Sequence, residues 1–260
     1  MIDSRSLAIG VITLLGLAAL WELLVRLLQI EPFLLPSPSA VWREFASRPG
    51  IYWDNFRVSL TGTLVGFVIA AVAGVLIGTL IVNSPRLRSV VYPIIVVSQA
   101  APKIAIAPLL IVWLGYGATP QIVMVVLVSF FPVVMSTVAG LSSVESDLID
   151  LVRMLRGGRI KQFVKVAFPH ALPFIFSGLK VAATLAVIGQ VVAEFVSSKA
   201  GLGHVILVAN SELNVAMSFV ALILLCTMGL ALFSLLEGLE RLVIPWSTEE
   251  SDRLFAVPQA

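Results

Sequence analysis

The chain has 260 residues, 59% of them hydrophobic and only 12% charged, with a formal net charge of +2 at neutral pH. A soluble domain averages about 45–50% apolar and about 25% charged residues, so this composition, with a mean hydropathy of +1.04, places the chain in a bilayer. The net charge is too small to suggest a nucleic-acid partner. The single cysteine, Cys226, sits in an apolar run; it excludes a disulfide framework and a CxxC metal site and reads as small apolar packing.

A membrane helix needs about 20 mostly apolar residues. Six runs qualify, at about 7–28, 58–82, 90–114, 119–140, 174–196 and 214–240. They are continuous rather than alternating in polarity, which favours helices over barrel strands. The expected fold is therefore an all-α membrane protein of about six transmembrane helices, a single transmembrane domain over 1–260.

The first run follows Arg5 and contains Ala18-Ala19, as a secretory signal would. It continues apolar to Leu28, beyond a signal's usual length, and reads as a span. Glu22 and Arg26, four apart, either pair on one helical face or snorkel to headgroups. The stretch "EPFLLPSPSAVWREF" then combines three prolines with Trp42, and Tyr52 and Trp53 follow; this predicts a short amphipathic helix on the outer surface. In the second span Gly62, Gly66, Ala70, Gly74 and Gly78 recur at every fourth position. Residues four apart share a face, so this helix offers a groove for close approach of a neighbour.

The third span carries Lys103 near the bilayer midplane, where a charge costs about +2.5 to +3.5 kcal/mol. Pro102 and Pro108 flank it, and Ser98 and Gln99 add polar groups. Such backbone survives at depth only where protein or a water-filled cavity satisfies it. The third span is therefore expected to line a pathway, with Ser98, Gln99, Pro102 and Lys103 exposed to it; Trp113 faces the same pathway or anchors at the interface. A second break is expected at Pro132 in the fourth span. In the fifth span Gln190 and Glu194 lie one turn apart and are candidates for the same pathway. Glu194 faces a vestibule, pairs with Lys103, contacts headgroups beside Lys199, or caps the helix before "SSKAGLG". Lys180 reads as a snorkelling residue near the inner end, and His204 lies in the Gly-rich link outside.

Between the fourth and fifth spans, residues 141–173 form a polar segment. Ser142 and Glu145 have capping-box spacing, and Glu145, Asp147 and Asp150 load the start of a helix over about 145–155. Leu148, Leu151, Val152 and Leu155 make one apolar stripe. Gly157-Gly158 then breaks the helix, a second short helix starts at Arg159, and Pro169 and Pro173 mark re-entry, with His170 in the loop between them. The stretch "RMLRGGRIKQFVKVAFPHALP" holds five basic residues. With the N-terminus inside, ten Lys and Arg face the cytoplasm and five face outward, which places both termini in the cytoplasm.

This segment resembles the cytoplasmic loop of ABC importer permeases, whose pattern runs Glu-Ala-Ala, three residues, Gly, nine residues, Ile, any residue, Leu-Pro. Setting Pro169 on the final proline places Asp150-Leu151-Val152 on the acidic-Ala-Ala positions, Arg156 on the glycine, Val166 on the isoleucine and Phe168 on the leucine. Leu-Val replaces the two alanines, and Arg156, followed by Gly157 and Gly158, replaces the glycine. "LPSPSAVWREF" (35–45), "APKIAIAPLLIVWLGYG" (101–117), "FFPVVMSTVAGL" (130–141) and "VAEFVSSKAGLGHVI" (192–206) are similar to segments of the branch serving nitrate, sulfonates, taurine, riboflavin and thiamine-precursor pyrimidines.

The resemblance implies a homodimeric permease of the bacterial inner membrane with a second copy of itself, two ATPase subunits inside and a solute-binding protein outside. It implies that Asp150, Leu151, Val152, Arg153, Leu155, Arg156, Gly157, Gly158 and Arg159 form a coupling helix for the ATPase, that ATP and Mg bind that partner, and that this chain binds no cofactor. The sequence has no Walker GxxxxGK[ST], GxSxG or HExxH, so no ATP hydrolysis of its own is expected. An ion-coupled secondary transporter, the alternative, needs several acidic or His residues within spans and an inverted repeat. An intramembrane enzyme needs a nucleophile–base pair at depth, and neither His lies at midspan.

Overall fold

The computed structural model describes residues 4–154, 158–197 and 199–246, and these form helices and short links. In chain order the helices are α1 (Ser4–Leu27), α2 (Pro38–Ser47), α3 (Pro49–Asn83), α4 (Pro85–Ala100), α5 (Lys103–Leu114), α6 (Ala118–Ser142), α7 (Ser146–Met154), α8 (Arg159–Gln162), α9 (Phe168–Ser197), α10 (Leu202–Ser211) and α11 (Val215–Val243). A π turn, Phe163–Ala167, joins α8 to α9. Among the described residues, α3, α6, the run Arg159–Ser197 and α11 are long and apolar enough to cross a membrane; α4 with α5 makes a fifth if the bent pair is one span. The 24-residue α1 covers the first expected run.

The described residues divide into two compact units, one within Met1–Ser59 and Lys199–Cys226, the other within Leu60–Ser198 and Thr227–Ala260. In the first, Pro38 occupies the first turn of α2, where its missing N–H costs nothing, and the Ser37 side chain caps the Ala40 N–H. The amphipathic helix expected here is present. Glu22 fastens it to α1: its carboxylate accepts from the Ser39 N–H at 3.0 Å and the Ser39 hydroxyl at 2.8 Å, and from Arg26 Nε at 2.7 Å. Glu22 and Arg26 thus pair. At the start of α3 the Tyr52 hydroxyl donates to Glu44 at 3.0 Å. The Gly201 and Leu202 N–H groups donate to Asn55 Oδ1 at 2.6 Å and Ser59 Oγ at 2.8 Å, so α3 side chains satisfy N–H groups at the buried start of α10 that have no intrahelical partner.

The second unit is built on close helix approach. A Cβ at Gly66 would lie 2.6 Å from Val125, one at Gly74 2.7 Å from Val133, and one at Gly78 2.7 Å from Thr137, all on α6. Ala70, in the same row, is fully buried. The face read from every-fourth-residue spacing is therefore a packing face, and its partner is α6. Helix α9 approaches α6 equally closely, with a Cβ on Gly178 falling 2.5 Å from Ser136.

Four expectations about breaks are corrected. The third span is not one helix: α4 and α5 meet at 99°. Pro132 lies inside an unbroken α6. Pro169, Pro173 and His170 all lie within α9, which continues through the π turn from α8; the wider turn just before Pro169 relieves the ring's clash with the preceding carbonyl. Ser142 closes α6 rather than capping α7.

Candidate functional site

Two features stand out: a polar region around the α4–α5 bend, and the exposed α7–α8 segment.

The bend has a local cause. A proline ring disfavours α geometry in the residue before it, and Ala101 before Pro102 is extended, at φ −66° and ψ 130°. The helix stops there and restarts at Lys103 without a side-chain cap. Ala107 and Leu110, both buried, then seat α5 against Met124 of α6 and Ala193 of α9. This fixes Lys103 in the lining of two cavities. One, of about 450 Å³, is lined by Ser98, Lys103, Phe130 and Phe131 among others. The second, of about 300 Å³, is lined by Gln99, Lys103, Gly189 and Val192 among others.

Lys103 is half-buried, and its Nζ lies 5.7 Å from the centre of the Phe131 ring, within cation–π range. Among the described residues no carboxylate pairs with it. Of the residues expected on the pathway, Ser98, Gln99 and Lys103 thus line this pair of cavities, with Pro102 making the bend. The Ser98 hydroxyl donates to the Ile95 carbonyl at 2.7 Å. Trp113 is 67% exposed at the other end of α5 and lines neither.

Gln190 and Glu194 lie elsewhere. Both are fully buried between α6 and α9, together with Gln121. Gln190 Nε2 donates to Glu194 Oε1 at 2.8 Å and to Gln121 Oε1 at 3.2 Å. The expectations that Glu194 faces a vestibule, pairs with Lys103 or meets headgroups beside Lys199 are corrected: it is fully buried near the end of α9 in an amide–carboxylate cluster. Gly62 makes room for that cluster, since a Cβ there would fall 2.6 Å from Gln190 Oε1. Sequence reasoning missed Gln121 and Phe131. The signal for Gln121 was an amide within an apolar run; for Phe131 there was none beyond its type.

The expectation for Lys180 is also corrected: it pairs with Glu240 of α11 at 2.5 Å rather than reaching lipid, and lies 5.7 Å over the Phe233 ring.

In the segment between α6 and α9, α7 carries Asp147 in its first turn and Arg153 in its last, which suits its dipole. Arg153 donates to Asp150 at 3.1 Å. Leu148 is 42% and Leu151 53% exposed, so two residues of the apolar stripe are open to solvent, with Val152 half-buried. Gly158 is extended and Arg159 opens α8, where Ile160 is 80% exposed. Leu155, Arg156 and Gly157 lie outside the described residues. Among the described residues no group of three His, Cys, Asp or Glu is placed to hold a metal.

The family described as "Binding-protein-dependent transport system inner membrane component" matches residues 63–245. The chain is 34% identical over 223 residues to a probable ABC transporter permease protein of Haemophilus influenzae, covering 86% of this chain and 91% of that one. It is 33% identical to the riboflavin transport system permease protein of Chloroflexus aurantiacus, covering 90% and 88%. It is 29% identical to the formylaminopyrimidine transport permease protein of Halalkalibacterium halodurans, covering 91% and 94%. A chain of the MetNI methionine ABC transporter, solved in inward-facing conformations, superposes with a TM-score of 0.59 at 20% identity over 74% of this chain and 93% of that one, a likeness of fold.

Proposed function

From the premise that this chain belongs to the binding-protein-dependent transport system inner membrane component family, and is a multi-pass ABC importer permease, we propose how its parts divide the work. The whole chain acts as one permease domain with six spans: α1, α3, the α4–α5 pair, α6, α9 and α11. Both termini and the 141–173 segment face the cytoplasm of a bacterial inner membrane, and α2 faces outward. Two copies enclose the pathway, a solute-binding protein delivers the solute outside, and two ATPase subunits bind inside, where ATP and Mg reside.

The observation that carries this reading is α7–α8. An apolar and basic helix whose stripe is partly open to solvent needs a partner surface, and its continuation Arg159–Ser197 is a single rod into the membrane. A groove on the ATPase that moves on binding ATP pushes that rod, and the spans packed on α9 follow as a body. Asp150, Leu151, Val152, Arg153, Gly158 and Arg159 form the docking face, with Leu155, Arg156 and Gly157 assigned to it from the motif alone. Ser98, Gln99, Pro102 and Lys103 line the path; Trp113 flanks it at the far end of α5, and Gln190 and Glu194 brace it from behind. The solute is a small organic molecule, of the class of the riboflavin and formylaminopyrimidine named for two relatives or of the aliphatic sulfonates and taurine named for others.

The test is a cysteine at Leu151 in the assembled transporter. Disulfide cross-linking to a cysteine in the ATPase groove, altered by ATP, supports the assignment. Accessibility of that cysteine to reagents in the full complex at the rate seen without the ATPase rejects it.

A further inference from the structure

We propose that the permease pathway selects for an anionic group on the solute, and that Lys103 is the residue that reads it. The inference rests on the pathway reading above and deepens it.

Three observations converge on Lys103. It is a half-buried cation at membrane depth with no carboxylate partner among the described residues. A cation in such a place is retained where something compensates it, and an unpaired one is a functional residue by default. It lines both cavities, so a solute in either one lies beside it. The walls around it are otherwise uncharged: Ser98, Gln99, Phe130 and Phe131 with aliphatic neighbours. Opposite the charge the Phe131 ring presents its face. That arrangement holds the ammonium in place by a contact too weak to saturate it. A carboxylate partner would have neutralised the site; an aromatic one leaves it electropositive.

A low-dielectric wall around one uncompensated positive charge focuses its field into the cavity. An anion entering there gains a charge-assisted hydrogen bond and relieves the cost of the bare ammonium. A cation of the same size gains neither and is repelled. The lysine's three rotatable donors suit a sulfonate, phosphate or carboxylate and impose no planar fork. The solute's body then packs on Phe130, Phe131 and Ile106.

The experiment needs no knowledge of the natural solute. Ser98→Cys is introduced in a Cys226→Ala background, and the transporter is assembled with its ATPase in proteoliposomes. Labelling rates are compared for an anionic sulfonatoethyl and a cationic trimethylammonioethyl methanethiosulfonate, without nucleotide and with ATP and vanadate. The anionic reagent is expected to be favoured, relative to free thiol, by about tenfold. Lys103→Ala should abolish that preference, and Lys103→Arg should keep it. Labelling at equal relative rates by both reagents overturns the anion selection while leaving the pathway intact. No labelling by either reagent in any state removes Ser98 from a water-filled pathway and overturns both readings.

Discussion

Gly62 and Gln190 occupy one space: a Cβ added to the glycine would stand 2.6 Å from the Oε1 of the glutamine. The small-residue face of α3 therefore does two things. Lower down, at Gly66, Gly74 and Gly78, it admits α6; at Gly62 it admits a buried amide.

Gly62→Ala should accordingly destabilise the protein by about 1–3 kcal/mol, the usual cost of overpacking, although alanine is the better helix former. Gly238→Ala is the control. It lies in α11 with nothing within 4 Å of its added Cβ, so it should be neutral or slightly stabilising. Thermal unfolding of the detergent-solubilised transporter measures both; equal midpoints for the two variants would contradict the packing described.

The carboxylate of Glu194 acts as an acceptor for Gln190 in a fully buried setting. Glu194→Gln keeps an oxygen in that place and should retain assembly and uptake. Glu194→Leu leaves the Gln190 donor short of a partner and should cost about 1–3 kcal/mol. Loss of uptake in the glutamine variant at an unchanged unfolding midpoint would show instead that the charge itself is used.

What the sequence made legible follows the range of the interaction. The every-fourth-residue face of α3, the helix at 146–154 and the helix after Ser37 are local patterns, and each is present. Pro102 was visible as a disturbance, but its consequence depends on Ala101 adopting an extended conformation, which turns one expected span into two helices. Pro132 and Pro173 carry the same local signal and break nothing. Where a helix stays packed against two neighbours, as α6 does against α3 and α9, tertiary contacts hold it through a proline. The Gln190–Glu194 contact is local, one turn apart, but the further partners of Gln190 and Lys180 were beyond reach for the same reason: Gln190 meets Gln121 across 69 residues and Lys180 meets a carboxylate on a different helix.

Lys180 and Glu240 form a partly buried pair, with side chains about a fifth exposed, that ties α9 to α11. Removing one partner leaves a charge with reduced access to water, which costs more than the pair itself is worth. Glu240→Ala should therefore lower stability by about 1–3 kcal/mol, and Lys180→Met with Glu240→Leu should recover much of the loss. A double-mutant cycle on unfolding free energies reads the coupling; additive single losses would show that the two side chains act separately.

Arg153 and Arg159 flank the exposed stripe of α7–α8, and Arg153 already uses Asp150 as an intrahelical partner at 3.1 Å. That pair is solvent-exposed on both sides, so its own contribution to stability is small, about 0–1 kcal/mol. Reversing both charges, Arg153→Glu with Arg159→Glu, should thus leave membrane insertion and the unfolding midpoint nearly unchanged. Docking is different, because like-charge contacts across an interface cost several kcal/mol. Stimulation of the partner ATPase should fall by at least about tenfold, and the loss should lessen in higher salt, which screens exposed charges. Stimulation at the wild-type level at low salt would show that the ATPase grips the permease through some other surface.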